Sequence, residues 1–472
     1  MVVGELKMET DVAIIGGGPG GYIAAIRAAD LGLDVTLIEE RERFGGTCLL
    51  EGCIPSKTLI SAVELLNAAS EAKKIGLEFT DLKIDIGTLR KWTESVVNKL
   101  SSGVEFLIKK RNIQTIKGHA RFENHNTLRV DGSGVIVQFK NAIIATGSEI
   151  NKLPGNYDLP LWTSAEALTI PEIPRRLLIV GGGYIGLEIG LVYAGLGSKI
   201  TVVEFHPSLL FGADEDMVQI LIGCCRNKFD EILTESKVTN IEMSSGVFIS
   251  TIEHNGESRK IETDRVMVAI GRKPNTHDIN LENTKIILDK SGFIPINNEC
   301  RTVEPNIFAI GDVTPGPMLA HKASREGKVA AEVIAGLPSA YDNRAIPAVV
   351  FTSPEIAWTG LTERDAIQRG IKYEKGVFPL SALGRAHTIG HTEGFAKILF
   401  NPETKILLGV SVVGINASEL ISEGTLAIEM GATLEDLTTT IHPHPTLSES
   451  IEEAAEVASG MPVHIFKPKQ PK

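Results

Sequence analysis

The stretch GGTCLLEGCIPSK at residues 45–57 holds Cys48 and Cys53 with four residues between them, just ahead of a helical pattern. Two sulfurs at that spacing suit zinc ligation, a structural bridge, a pair of idle thiols or a redox couple. Zinc asks for a second ligand pair, another CxxC or clustered histidines, and none is near, so no metal is expected. The helix IPSKTLISAVELLNAA is expected to begin right after Cys53, with Pro55 in its first turn. A thiolate at that position is favoured by the helix N-terminus and by nearby Lys57, which makes Cys53 the sulfur able to rest as an anion and Cys48 the outer, attacking one. Five cysteines in 472 residues are too few for a disulfide framework. In a reducing cytoplasm a bridge would be catalytic rather than structural. The adjacent Cys224 and Cys225 and the solitary Cys300 read as ordinary thiols.

The elements that must position these sulfurs are written twice. DVAIIGGGPGGYIAAIRAADLGLDVTLIEE (11–40) and RLLIVGGGYIGLEIGLVYAGLGSKITVVEF (176–205) each read as strand, glycine turn, small-residue helix, strand and acidic residue. Gly16, Gly18, Gly21 and Glu39 match Gly181, Gly183, Gly186 and Glu204 at one constant offset. One GxGxxG is weak, but each copy carries the full βαβ context. The first glycine permits the tight turn, the second lets backbone approach a pyrophosphate, and the third lets the helix pack on the sheet. The glutamates stand about 20 residues on, where a carboxylate accepts ribose hydroxyls. Glu204 would repel a 2′-phosphate and FHPSLLF offers no arginine to hold one, so the second site favours NAD over NADP. The cysteines follow the first copy. Because a flavin can exchange electrons with both a hydride carrier and a dithiol, the first nucleotide is expected to be FAD.

Composition sets the bounds. A length of 472 residues suggests about three or four domains. Hydrophobic residues at 43% and charged residues at 22% are globular values, and no run of roughly 18 apolar residues offers a membrane span. The net charge of −12 argues against nucleic-acid or membrane partners, which need a cationic field. The opening MVVGELKMETD lacks a signal-peptide pattern, so a cytoplasmic location is expected.

GGGPGG, GGTC, CIPSK and GGGYIGLE together resemble the pyridine nucleotide-disulfide oxidoreductases. Further matches are ATGS at 145–148, AIGRKPN at 269–275, IFAIGD at 307–312, LAHKA at 319–323, SPEIAWTGLTE at 353–363 and HPHPTLSE at 442–449. IPSK, PEIAW and HPTLSE lean towards the branch that oxidises dihydrolipoamide. The resemblance implies an α/β fold: two Rossmann-like dinucleotide-binding domains, for FAD and NAD, plus a C-terminal α/β dimerisation domain. It divides the chain into an FAD domain (1–150), an NAD domain (151–275), a central segment returning to the FAD site (276–345) and an interface domain (346–472).

The same resemblance implies a Cys48–Cys53 redox disulfide, Cys53 as the charge-transfer thiol, and Lys57 paired with Glu188 beside the flavin. Asp312 would bind the flavin's ribityl or phosphate portion, backbone around Ala320 and His321 would reach the isoalloxazine, and Thr146, Gly147 and Gly271 fall in further cofactor-binding motifs. His444 would be the base that deprotonates the substrate thiol, oriented by Glu449, which also stands at capping-box spacing from Thr446. The implied partners are a second copy, making a homodimer in which His444 serves the other subunit's disulfide, and the lipoyl domain of an acyltransferase or glycine-cleavage carrier protein. Alternatives are an NADH-dependent reductase of another small disulfide, glutathione-like or a coenzyme A disulfide, and a non-catalytic flavin-binding scaffold. The family usually has Asn-Val where this chain has Leu50 and Glu51. A carboxylate there is expected to disfavour a thiolate.

Overall fold

The strand that feeds the first glycine turn, Leu6–Ile15, is buried along its last four residues, so it reads as an unbroken apolar run rather than an alternation. The computed structural model describes residues 6–80, 82–155 and 158–466. In it that strand lies at the centre of a mixed sheet. Val35–Glu39 and then Gln114–Lys117 add on one side, and Val135–Ile144 adds on the other, all parallel. Thr127–Asp131 and His119–Asn124 extend the sheet antiparallel, while the late strand Ile307–Ala309 pairs parallel with residues 142–144.

A second parallel sheet repeats the arrangement in the order Glu231–Leu233, Lys199–Val203, Arg176–Val180, Arg265–Val268. The two turns superpose bond for bond. Gly16 N–H donates to Ile38 O at 2.8 Å and Gly181 N–H to Val203 O at 2.8 Å. Gly16 and Gly181 take φ of +104° and +111°, and a Cβ on either would sit 2.3 Å from a carbonyl oxygen of the neighbouring strand. Only glycine fits both demands. At Gly21 and Gly186 a Cβ would strike the carbonyl of Gly16 or Gly181, at 1.8 and 2.2 Å, so their bareness sets the distance between helix and turn.

The chain leaves the first unit through Ser148–Ile150 and returns through Arg272–Pro274, and these short strands pair antiparallel. After residue 345 comes a five-stranded antiparallel sheet, Ala348–Val350, Glu355–Gly360, Leu407–Gly414, Phe395–Phe400 and Glu374–Pro379 in that order, carrying helices Ala417–Met430 and Glu449–Ser459.

This last sheet is locked to the second unit by a lysine. Lys397 is fully buried, and its Nζ lies 2.8 Å from Asp214, 2.9 Å from Asp216 and 2.9 Å from Glu363. Among the described residues these three carboxylates form the one acidic cluster of metal-ligand proportions, and the ammonium already bonds all three. Asp214 also accepts the backbone N–H groups of Glu363 and Arg364 at 3.2 and 3.1 Å, closing the first turn of helix Glu363–Arg369 from the other unit. Burial would raise the Glu363 carboxyl, but Lys375 and Lys397 outweigh it and hold the group at about 2.

Lys397→Met strips the charge partner from three carboxylates and is expected to destabilise the protein by about 3–5 kcal/mol, read by denaturant unfolding. Glu363 sits below its unfolded value, so its contribution is present above about pH 4.3 and is lost as pH falls towards its folded pKa. An unchanged unfolding midpoint in Lys397→Met would overturn this account.

Candidate active site

The two sulfurs stand on consecutive helices separated by one glycine. Cys48 lies in the short helix Gly46–Glu51, and Cys53 opens the helix Cys53–Glu71, one residue earlier than the sequence suggests. Gly52 makes the corner, where a Cβ would come within 2.9 Å of Thr47 O. Cys53 therefore belongs to the first turn itself and feels the unpaired N–H groups there.

Both thiols are free in this structure. The Cys48 thiol hydrogen-bonds to Cys53 and is thereby pushed well above the ordinary thiol range, with burial adding to the effect. The same bond, aided by Lys57 and opposed by burial, draws Cys53 down to about 7. The first proton to leave the dithiol is thus that of Cys53, and the Cys48 thiol donates to the anion so formed.

Lys57 stands one turn further along the same helix. Its Nζ donates to Glu188 Oε2 at 2.8 Å and lies 4.5 Å from the centre of the Phe351 ring. Glu188 is buried on the helix Tyr184–Gly195, and its other oxygen accepts Phe351 N–H at 3.0 Å. Tyr184, at the start of that helix, is pushed up to about 12 by burial and by the negative charges of Cys53, Glu188 and Asp312.

One continuous cleft connects these groups to the first glycine turn. Its walls include Gly16, Gly18, Glu39, Cys48, Cys53, Lys57, Thr146, Gly147, Tyr184, Glu188, Asp312 and Ala320. Glu39 is buried, with Oε2 accepting Gly17 N–H at 2.6 Å and Oε1 accepting Arg41 N–H at 2.9 Å. Glu204 repeats the pattern through Gly182 N–H at 2.6 Å and His206 N–H at 2.7 Å. A carboxylate has room for further donors, so both remain able to receive ribose hydroxyls. Gly183 has nothing within 4 Å of a hypothetical Cβ, and at Gly18 only Gly46 Cα is near, at 3.7 Å. These bare backbones at helix N-termini fit dinucleotide pyrophosphates. The second turn, with Gly181, Gly183, Gly186 and Glu204, does not line the main cleft, although Tyr184 and Glu188 from its helix do.

Ser148, Arg272 and Asn275 also stand in the cleft. Asp312 Oδ2 accepts Ser148 Oγ–H at 2.6 Å, and Arg272 donates to Ser148 Oγ at 2.7 Å and to Ser148 O at 2.6 Å. Thr146 Oγ–H donates to Asn275 O at 2.6 Å. Ser148, Arg272 and Asn275 lie inside the ATGS and AIGRKPN stretches, whose spacing marks them without giving them a role. Gly271, at φ +97°, turns the chain beside them but does not line the cleft. Ala320 opens the helix Ala320–Ile334, while His321 points away to Pro347 O at 2.8 Å.

The Glu51 carboxylate lies 3.0 Å from Arg41 Nη1 and lines the same cleft as the two sulfurs. Lys57 favours the thiolates, while Asp312 opposes that of Cys48 and Glu188 that of Cys53.

The histidine is built apart. His444 Nδ1 lies 2.8 Å from Glu449 Oε1, and Glu449 Oε2 accepts Thr446 N–H at 2.7 Å, so one carboxylate serves both the ring and the chain turn. Burial would raise Glu449, but Thr446 and His444 lower it overall. The helix starts at Glu449 with Ser448 before it, so only the carboxylate half of the expected capping box forms. His444 has a 77% exposed side chain and does not line the cleft of its own chain. His442 is instead buried between Glu423 and Glu452.

Comparison with known proteins agrees with this layout. Residues 10–327 match the family described as pyridine nucleotide-disulphide oxidoreductase, and residues 346–455 match the dimerisation domain of the same proteins. The chain is 46% identical to the dihydrolipoyl dehydrogenase of Geobacillus stearothermophilus, covering 99% of this chain and 100% of that one. It is 43% identical to the dihydrolipoyl dehydrogenase of Bacillus subtilis, covering 99% and 100%. Among solved structures, LpdA from Mycobacterium tuberculosis aligns with a TM-score of 0.87 at 26% identity, covering 95% and 99%. The Cu(II) complex of the HOCl-induced flavoprotein disulfide reductase RclA from Escherichia coli aligns with a TM-score of 0.84 at 28% identity, with the same coverage.

The geometry makes a test available in the reduced protein. Its first thiolate is expected to form with an apparent pKa near 7, read from the pH dependence of alkylation, and Lys57→Met should move it upward by removing a favourable charge. An unmoved titration would separate Lys57 from the sulfurs.

Proposed function

The chain belongs to the pyridine nucleotide-disulphide oxidoreductases, and on that footing we propose that it oxidises dihydrolipoamide to lipoamide, with NAD as the final acceptor. The observation that carries the reading is the Cys53 thiol, drawn down to about 7 at a helix N-terminus, in a cleft continuous with the first glycine turn. FAD held along that cleft supplies two-electron exchange between the dithiol and NAD. Gly16, Gly18, Gly21, Glu39, Thr146, Gly147, Asp312 and the backbone at Ala320 would hold it. Gly181, Gly183, Gly186 and Glu204 would hold NAD, with Glu188 and Lys57 between the two.

The residues then divide the work on the substrate. His444, kept in one tautomer by Glu449, takes the proton of a dihydrolipoamide thiol, which is mostly protonated at neutral pH. The resulting thiolate attacks Cys48 Sγ of the oxidised pair. The Cys48–Cys53 bond breaks and Cys53 leaves with the electron pair, favoured because the better leaving sulfur is the one of lower pKa. The second substrate sulfur attacks the first as its proton passes to Cys48, the Cys48–substrate bond breaks, and His444 releases the first proton to solvent. The cyclic disulfide of lipoamide departs.

A dimerisation domain spans 346–455, which supports a homodimer. The high exposure of His444, away from its own chain's cleft, supports a site completed by the second copy. We assign 1–150 with the return segment 276–345 to FAD, 151–275 to NAD and 346–472 to the interface. A lipoyl domain is the natural carrier of the substrate. No described helix is long and apolar enough to cross a membrane, and the reading places the enzyme in the cytoplasm.

His444→Gln is expected to slow dihydrolipoamide oxidation by about a hundredfold or more, the scale of general-base loss. NADH-driven reduction of a one-electron acceptor does not use this base and should stay within a few-fold of the unsubstituted protein, with FAD content unchanged. Equal loss of both activities would return His444 to a structural role. A preference for glutathione-like or coenzyme A disulfides over lipoamide would replace the substrate.

A further inference from the structure

Asp312 sits in a single 3₁₀ turn, Gly311–Val313, just past the strand Ile307–Ala309. Gly311 opens the turn at φ +76°, and a Cβ on it would sit 3.1 Å from Ala323 Cβ. The Gly311 C=O accepts Thr314 N–H at 3.0 Å within the turn, and both polar groups of Gly311 also meet side chains of one helix. Its N–H donates to Glu326 Oε2 at 2.6 Å, and its C=O accepts Lys322 Nζ–H at 3.1 Å. Lys322 Nζ also donates to Thr314 Oγ at 2.7 Å, and Thr314 Oγ–H donates to Gly311 O at 2.7 Å.

Lys322 and Glu326 are one turn apart, 2.9 Å from each other, with side chains 3% and 1% exposed. Neither lines the cleft. A buried ion pair of this kind is often replaceable by apolar side chains without loss of stability, since desolvation offsets the attraction. What apolar side chains cannot do is accept the Gly311 N–H, whose partner is Glu326, whereas the Gly311 C=O keeps Thr314 N–H and Oγ–H. The helix that carries the pair is itself immobilised. It packs so closely on Pro19–Asp30 that a Cβ at Gly327 would come 2.6 Å from Gly20 O.

We infer that Lys322 and Glu326 are positioning residues for the cofactor: they hold the Gly311 peptide and so fix Asp312 where Ser148, itself held by Arg272, meets it from the other side. The inference rests on the assignment of FAD to this cleft. The pair acts through Asp312 and touches no reacting atom. It makes the helix Ala320–Ile334 a ruler between the first glycine turn, which its middle contacts, and the Asp312 turn, which its first two turns hold.

Two double variants test this in apoprotein titrated with FAD. Lys322→Met with Glu326→Leu removes both charges and the acceptor for Gly311 N–H. Lys322→Met with Glu326→Gln removes both charges and keeps an acceptor. The first should bind FAD at least about tenfold more weakly than unsubstituted protein, and the second within about threefold, with similar apoprotein melting temperatures for the two. Equal FAD affinities in the two variants, or an affinity loss matched by collapse of the apoprotein, would overturn the inference. Should neither variant fold, hydrogen exchange of the unsubstituted apoprotein decides. Protection of amides 311–314 that persists without FAD supports the pair as the clamp, and protection that vanishes without FAD overturns it. Failure of the unsubstituted protein to bind FAD at all would instead overturn the cofactor assignment beneath it.

Discussion

One buried carboxylate holds the parts of this protein in register. Glu188 rises from the phosphate helix of the second nucleotide unit, takes Lys57 from the redox helix of the first, and takes the Phe351 amide from the segment that begins the C-terminal sheet. A carboxylate so buried is costly unless each oxygen has a partner, and here each partner comes from a different part of the chain. Displacing any one of them would strand a charge. The relative placement of the two glycine turns is therefore set by electrostatic necessity at the point where the sulfurs lie, and not merely by the area of contact between units.

The dithiol shows how far one proton can be directed by geometry alone. Two chemically identical thiols differ because one opens a helix beside Lys57 and the other donates its hydrogen to it. The asymmetry needs no difference in residue type. It needs a helix break, and Gly52 supplies one at a point where a side chain would meet Thr47 O.

Much of this was legible in sequence because it is local. The two βαβ units declare themselves through glycines at fixed spacing. The structure demands glycine at Gly16, Gly21, Gly181 and Gly186 by close contact or positive φ, and leaves the backbone bare at Gly18 and Gly183. What stayed hidden was long-range pairing. Nothing in FHPSLLFGADED announces that Asp214 and Asp216 will meet Lys397. Nothing in EERER says that Arg41 will reach Glu51. The start of the redox helix was misplaced by one residue because Pro55 tolerates several first-turn positions, while the corner at Gly52 depends on contacts outside the motif. Lys322 and Glu326 were likewise invisible, since an i,i+4 pair reads as a solvated face until the turn it grips is known.

The pairing of Ser148–Ile150 with Arg272–Pro274 has a bearing on the order in which a growing chain can take shape. Everything in the second parallel sheet lies between those strands and is continuous, so it can close as soon as it has been synthesised. The first sheet cannot. Its strand Val135–Ile144 waits for Ile307–Ala309, and its cleft waits for the helix Ala320–Ile334. The first unit to begin is thus the later to finish, and until residue 334 has emerged the wall that carries Asp312 is missing. A nucleotide that binds there meets a chain whose first two units are in place, and its arrival marks the end of the first unit's assembly rather than its beginning.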